Sequence, residues 1–305
     1  MYVCVCVFVL VLVCMHVHHL VTHALTHALT HSLSHSLTHS LTHSLLLLVY
    51  CRGYRACVFA FGQTGAGKTH TMVGRASEVV SGSEDCGIMG RSLDYIYKRL
   101  SGLGIHYTVK IACMEIYQEQ LFDLSVGVKE RTPLAVREHQ TDGFFVEGCK
   151  QVVCSDVSDA VSAVNKALKN RQVGSHVKNH RSNRSHLLTE IFIELPVKEL
   201  LQINNIYEIP GFENLSDHMD KNREYNLMGR LTFVDLAGSE RLKETKSEGK
   251  TLQETGNINK SLYVLGKVIS GMARENGAQS HRNVSILYCY CYCYCYCTTV
   301  LLLYY

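Results

Sequence analysis

The sequence predicts an α/β fold: a central sheet flanked by helices, with a glycine-rich turn at one strand end. Three observations lead there. Between Arg52 and Arg282, apolar runs at strand spacing alternate with segments at helical spacing, the pattern that builds layered α/β domains. One of those runs, Ala56 to Phe61, leads into Gly62-Gln63-Thr64-Gly65-Ala66-Gly67-Lys68-Thr69, a match to G-x-x-x-x-G-K-[ST]. All 30 basic and 27 acidic residues fall between Arg52 and Arg282, so this stretch carries roughly one charge in four residues, as globular domains do.

The elements follow in order. Ala56 to Phe61 is a short apolar run bounded by Arg55 and Gly62, which suits a strand buried on both faces. Lys68 to Met72 opens a helix, and the Gly/Ser/Glu-rich Gly74 to Gly87 is a loop. Ser92 to Leu100 returns to helical spacing through Leu93, Ile96, Tyr97 and Leu100. Tyr107 to Tyr117 alternates as a strand. Leu134 to Val153 holds the turn signal Thr141-Asp142-Gly143 and reads as a hairpin. Ser155 to Lys169 sets Val157, Ala160, Val161, Val164, Ala167 and Leu168 on one helical face, with Ser155 as the expected N-cap. His186 to Leu195 is a strand, and Pro196 to Gly229 reads as an inserted surface loop. Arg230 to Asp235 is a second buried strand, which Leu236-Ala237-Gly238 leaves. Leu252 to Ala273 repeats apolar residues at helical spacing through Ile258, Leu262, Leu265, Val268, Ile269 and Met272.

The ends differ in kind. Residues 1–51 and 285–305 hold no Asp, Glu, Lys or Arg. Residues 22–45 repeat a Thr-His-Ala/Ser-Leu unit, Val3 to Val7 alternates Val and Cys, and Tyr288 to Cys297 alternates Tyr and Cys. Such periods are what simple-sequence DNA encodes, and both ends are read as translated repeat. A helical form of the repeat would stack His23, His27, His31, His35, His39 and His43 along one stripe, a spacing that can bind metal, but the artefact reading is preferred. Val3 to Met15 is too short to span a bilayer, and no basic residue precedes it as in a signal peptide. The organisation is thus 1–51 low-complexity repeat, 52–284 folded domain, and 285–305 low-complexity tail.

The net charge of +3 excludes a polycation that holds nucleic acid by bulk charge. Eight of the 14 cysteines lie within residues 4–14 and 289–297; the other six, Cys51, Cys57, Cys86, Cys113, Cys149 and Cys154, show no Cys-x-x-Cys pair. They read as reduced, mostly buried thiols of a cytosolic protein.

The turn from Gly62 to Thr69 says nucleoside triphosphate. Its glycines let backbone N–H groups point at phosphate oxygens, and the helix that follows adds partial positive charge. Lys68 is expected on the β- and γ-phosphates and the Thr69 hydroxyl on Mg²⁺. Asp235, at a strand end, can hold Mg²⁺ through water. Gly238, three residues on, can donate its N–H to the γ-phosphate and swing away when that group leaves. Asn179 to His186 combines hydroxyls, an amide and an arginine just before a strand.

FGQTGAGKT, NHRSNRSH and DLAGSE, in that order, resemble the three nucleotide-site motifs of the kinesin motor domain, and Glu254 to Leu262 (ETGNINKSL) resembles the start of the kinesin relay helix. The resemblance covers about residues 56 to 284. It implies a P-loop nucleoside triphosphatase of kinesin-motor type, with a central mixed sheet flanked by helices, truncated at both ends. It also implies an ATPase, using ATP and Mg²⁺, that works on microtubules in the cytoplasm and cytoskeleton, with neither nucleic acid nor membrane as partner. By motif position, Gly62, Gln63, Thr64, Gly65, Ala66, Gly67, Lys68 and Thr69 form the P-loop, and Thr69 and Asp235 the metal site. Asn179 to His186, with Ser182, Asn183 and Arg184, form the first switch; Asp235 to Glu240, with Gly238, form the second. Arg184 and Glu240 would bridge the switches, and Asn259 would tie the relay helix to the second. Lys243, Lys246, Lys250 and Lys260, with the hairpin near Arg137 and Lys150, would face the acidic microtubule.

Two departures from the family pattern carry expectations. The first switch normally reads N-x-x-S-S-R-S-H, and Asn183 stands where the second serine belongs. An amide cannot pass a proton as a hydroxyl does, so slow hydrolysis with ATP binding retained is expected. The family's first strands and its final helix and strand have repeat in their place, so the sheet is expected to lose strands, fold poorly and fail to move. A nucleotide-gated microtubule binder with little turnover is the alternative to a motor. Direction of travel, cargo, subfamily and oligomeric state have no signal, since no sustained heptad pattern exists.

Overall fold

The computed structural model describes residues 8–13, 55–75, 78–82, 86–139, 143–173, 184–204, 226–239, 262–263 and 300–304. The strand expected from Ala56 is β2 (Arg55–Phe61). It is followed by α1 (Lys68–Met72) and α2 (Ile88–Gly102). Next come β3 (Thr108–Tyr117), β4 (Gln120–Asp123) and β5 (Pro133–Leu134). A hairpin of β6 (Val136–His139) and β7 (Gly143–Val146) forms a separate two-stranded sheet. Then β8 (Val152–Cys154), α3 (Val157–Val173), β9 (His186–Pro196), α4 (Val197–Leu200) and β10 (Asn226–Asp235) complete the middle of the chain.

With β1 (Phe8–Val13) and β11 (Val300–Tyr304) from the two ends, the main sheet runs β11-β1-β2-β10-β9-β3-β4-β5, with β8 also on β3. Among the described residues only β10 and β2 pair in parallel; β9 is antiparallel to both β10 and β3. The sheet is therefore mixed, as expected. Alternation along each strand decides which side chains meet which layer. On one face, Ala56, Val58 and Ala60 of β2, Leu231 and Phe233 of β10, Ile191 and Ile193 of β9, and Val109 and Ile111 of β3 lie in one core. Leu93, Ile96 and Leu100 of α2 and Ala160, Val164 and Ala167 of α3 cover them. On the other face, Cys57, Phe59, Met114, Leu188 and Val234 form a second core that reaches Leu262.

Four details differ from the sequence reading. Helix α2 starts four residues ahead of Ser92, because Gly87 lets it pack close to the end of α1 and Gly90 close to Val79 and Val80 of the loop that follows. A Cβ on Gly87 would lie 2.5 Å from Met72 O. Ser155 is not the cap of α3: Asp156 Oδ1 accepts from Asp159 N at 2.8 Å, and Asp159 Oδ2 accepts from Ser155 N at 3.1 Å. The carboxylate one residue on is placed to satisfy an orphan amide of the first turn. Pro196 to Gly229 is not all loop, since α4 buries Val197 and Leu200, and β10 begins at Asn226, paired with Pro196. Lastly, two strands come from the uncharged ends. β1 (Phe8–Val13) pairs antiparallel with β2 from Phe8↔Phe61 to Val13↔Ala56, and β11 (Val300–Tyr304) pairs with β1. Where the sheet was expected to lose strands, the edge of β2 is thus paired, by a run rich in β-branched residues and free of charge.

Of the expected Leu252–Ala273 helix, Leu262 and Tyr263 are described and are helical; the rest lies outside the described residues. The five described cysteines of the middle region are thiols. Burial raises Cys113 to about 12 and Cys154 to about 11, which suits inert core residues.

Candidate functional site

Strand β2 ends at Phe61, and the chain turns back on itself before α1. Gly65 (φ 80°) and Gly67 (φ 94°) take left-handed conformations that side-chain-bearing residues resist. Ala66 N donates to Gln63 O at 3.1 Å and closes the turn. Gln63, Thr64 and Gly65 are exposed, Gly62, Ala66 and Lys68 are buried, and Gly67 and Thr69 are half-buried. Lys68 Nζ folds over the loop and donates to Gly62 O and Gln63 O, each at 2.9 Å. A cation turned onto main-chain carbonyls at this point can be drawn off by phosphate oxygens, which accept more strongly.

The neighbouring strand β10 supplies the acid. Its parallel register sets Asp235 opposite Ala60, one step before the turn. Thr69 Oγ1 donates to Asp235 Oδ2 at 2.7 Å. Asp235 is buried, and its Oδ1 has no hydrogen-bond partner among the described residues. A hydroxyl, a buried carboxylate with one unused oxygen, an ammonium group and an open glycine turn fit a magnesium nucleotide.

The two segments expected to act as switches meet this loop at their described ends. Ser239 N donates to Gly62 O at 3.1 Å, and Leu236 N to Ala60 O at 3.4 Å. Gly238 is buried between them. His186 opens β9 and accepts from Ala237 N through Nδ1 at 3.1 Å. The end of the Asn179 to His186 segment is thereby bonded to the start of the Asp235 to Glu240 segment. That bond requires a neutral ring with its proton on Nε2. Burial, and then the positive charges of Arg171 and Lys68, push the His186 pKa down to about 3, so the ring stays neutral.

Two site residues had no motif to announce them. Glu115 of β3, Leu187 of β9, Asp235 of β10 and Ala60 of β2 stand in one row across the sheet. Arg171 of α3 sits over that row, with Nε 3.8 Å from Glu115 Oε1 and Nη1 3.5 Å from Asp235 Oδ2. Both were visible as anomalies: Arg171 continues the apolar stripe of α3 after Ala160, Val164, Ala167 and Leu168, and Glu115 follows Val109, Ile111 and Cys113 on the inward face of β3.

Arg184 is half-buried beside this region. Ser182, Asn183, Glu240, Lys243, Lys246, Lys250, Asn259 and Lys260 lie outside the described residues. In the hairpin, Arg137 Nε donates to Glu147 Oε2 at 2.9 Å, and Lys150 N donates to Asp123 Oδ2 at 2.9 Å. No helix among the described residues is long and apolar enough to cross a membrane.

A glycine turn between a strand and a helix, a lysine and threonine at that helix's start, and an aspartate at the end of the adjacent parallel strand define the fold of the P-loop nucleoside triphosphatases. A model of the kinesin motor domain matches residues 22–288, and the chain belongs to that family. It is 35% identical over 240 residues to kinesin-like protein KIF15 of Rattus norvegicus, covering 75% of this chain and 15% of the relative. To kinesin-like protein KIN-12C of Arabidopsis thaliana it is 35% identical over 240 residues, covering 76% of this chain and 10% of the relative. Among solved structures, a fast kinesin described for its ATPase mechanism and microtubule interactions superposes with a TM-score of 0.56 at 29% identity, covering 72% of this chain and 55% of that one. A KIF14 dimer, with AMP-PNP and in complex with a microtubule, superposes with a TM-score of 0.57 at 29% identity, covering 76% and 60%. The chain therefore spans 10–15% of the length of these curated relatives and little more than half of the solved chains.

Proposed function

We propose that the chain is the ATP-binding and ATP-hydrolysing part of a microtubule motor, acting on the cytoskeleton. The observation that carries this is the contact of Thr69 with Asp235 beneath a glycine turn capped by Lys68. Lys68 would hold the β- and γ-phosphates. Thr69 would ligate Mg²⁺ directly and Asp235 through water. The bound ion would neutralise charge on the transferring phosphoryl group. Gln63, Thr64, Gly65, Ala66 and Gly67 would wrap the phosphates with backbone N–H groups. Gly238 would report the γ-phosphate through its N–H. Ser182 and Arg184 would close from the first switch, with Arg184 pairing Glu240 over the nucleotide. His186 would transmit that closure, since its ring already bonds the second switch. Lys243, Lys246, Lys250 and Lys260 would bind acidic tubulin, with Arg137 and Lys150 beside them. The microtubule complex of the KIF14 relative supports this reading.

Asn183 favours a second reading, a nucleotide-gated microtubule binder with little turnover. Microtubule-stimulated phosphate release separates the two. A motor releases phosphate faster on microtubules, whereas the gated binder changes only its co-sedimentation between Mg·ATP and a non-hydrolysable analogue. The Asn183→Ser variant is expected to raise steady-state hydrolysis by about tenfold or more, because a hydroxyl relay is restored. Equal rates would remove Asn183 as the cause of slow turnover.

A further inference from the structure

We propose that Arg171, which lies outside every nucleotide-site motif, is a positioning residue for the metal-site carboxylate and couples it to the base of the first switch. This rests on the nucleotide reading above and extends it to α3. Arg171 and Asp235 are both buried, and Glu115 is fully so. Glu115 and Asp235 occupy the same row of the sheet on β3 and β10, with Leu187 of β9 between them. Adjacent strands are about 4.8 Å apart, so the two acids are two strands distant, and one planar guanidinium spans the gap. Its Nη1 is 3.5 Å from Asp235 Oδ2 and its Nε is 3.8 Å from Glu115 Oε1. Its Nη2 donates to Ser185 O at 3.0 Å and to Ser185 Oγ at 3.2 Å, and Nε donates to Ser185 Oγ at 3.4 Å.

Two consequences follow from this geometry. Asp235 Oδ2 is held from one side by Thr69 Oγ1 and from the other by the Arg171 charge. The carboxylate is thereby turned so that, among the described residues, Oδ1 is the oxygen left without a hydrogen bond. Partners that orient a ligand in this way set metal affinity even though they never touch the metal. Ser185 adjoins Arg184, so the same guanidinium fastens the main chain where the first switch enters β9. A lysine could neutralise the two acids, but its ammonium is a point charge without the fork that reaches Ser185 and Asp235 together.

The test uses the 305-residue chain and a fluorescent ATP analogue. Two quantities are read: affinity in EDTA, and the Mg²⁺ concentration giving half-maximal binding at fixed nucleotide. For Arg171→Lys the Mg²⁺ midpoint rises about tenfold while affinity in EDTA stays within about twofold, as expected for a lost orienting partner. A residue that only balances buried charge would lower the melting temperature and leave the Mg²⁺ midpoint unmoved, and that result overturns the proposal. Arg171→Gln combined with Glu115→Gln removes one charge of each sign and keeps Asp235; it too must raise the midpoint. If neither variant melts cooperatively, Arg171 is a folding residue and the positioning role is withdrawn. If wild-type protein binds no nucleotide, the proposed function fails and takes this role with it; if wild type binds and both variants titrate Mg²⁺ as wild type does, only the role of Arg171 fails.

Discussion

His186 is buried beside Arg171 and Lys68 and gives up its charge to stay there. Its pKa is about 3 in the fold and about 6.5 in an unfolded chain. Below pH 6.5 the unfolded chain binds a proton that the folded one refuses, so stability falls as pH drops from 6.5 towards 3. Linkage puts the loss between pH 7 and pH 5 at about 2 kcal/mol. Replacing His186 with Asn, which can still accept from Ala237 N, is expected to flatten the pH dependence of urea stability by that amount. An unchanged slope would mean the ring is not held neutral. The residues of the site that lie side by side in sequence, Gly62 to Thr69, were legible from their spacing alone, because one turn must present all its groups to one ligand. Arg171 and Glu115 were not, because their meaning depends on which strands neighbour β10, and no local pattern encodes that order.

Helix α2 shows how an element's boundary can be decided by its neighbour. Helical periodicity begins at Ser92, but the helix begins at Ile88 because Gly87 and Gly90 fit against α1 and the loop after it. A Cβ on Gly87 would press on the Met72 and Val73 backbone, so Gly87→Ala is expected to cost about 1–3 kcal/mol in denaturant unfolding. Gly102, in the last turn of the same helix, has open space where a Cβ would stand, and Gly102→Ala is expected to be neutral or to gain up to about 1 kcal/mol. Equal effects at the two positions would contradict the packing of α2 on α1. The strands were the more legible elements. Arg55–Phe61, Thr108–Tyr117 and His186–Pro196 match apolar or alternating runs closely, since burial on one or both faces is written into each residue. The start of β10 was not, because Asn226 to Gly229 is a strand only by virtue of its pairing with β9.

Across the whole molecule, the sheet is longer than the charged middle of the chain can make it. β1 covers the edge of β2, the strand that carries the P-loop, and among the described residues β11 joins the sheet only through β1. Removing residues 1–14 would expose that edge and release both strands. A loss of about 2 kcal/mol, or about 4–8 °C in melting temperature, is expected for a domain of this size. A truncated chain as stable as the full one would assign the uncharged ends no structural part, in line with a translated repeat. The mixed sheet, its flanking helices and the glycine turn after β2 were legible from the middle of the sequence. The contribution of the ends was not, because a repeat's composition says what it can pair with but not where. The most direct single measurement is calorimetric titration of the 305-residue chain with Mg·AMP-PNP, beside its Lys68→Met variant. Saturable one-site binding, weakened at least about tenfold by loss of the Lys68 charge, is expected; no saturable binding, or equal binding by the variant, would contradict a triphosphate seated on Gly62 to Thr69.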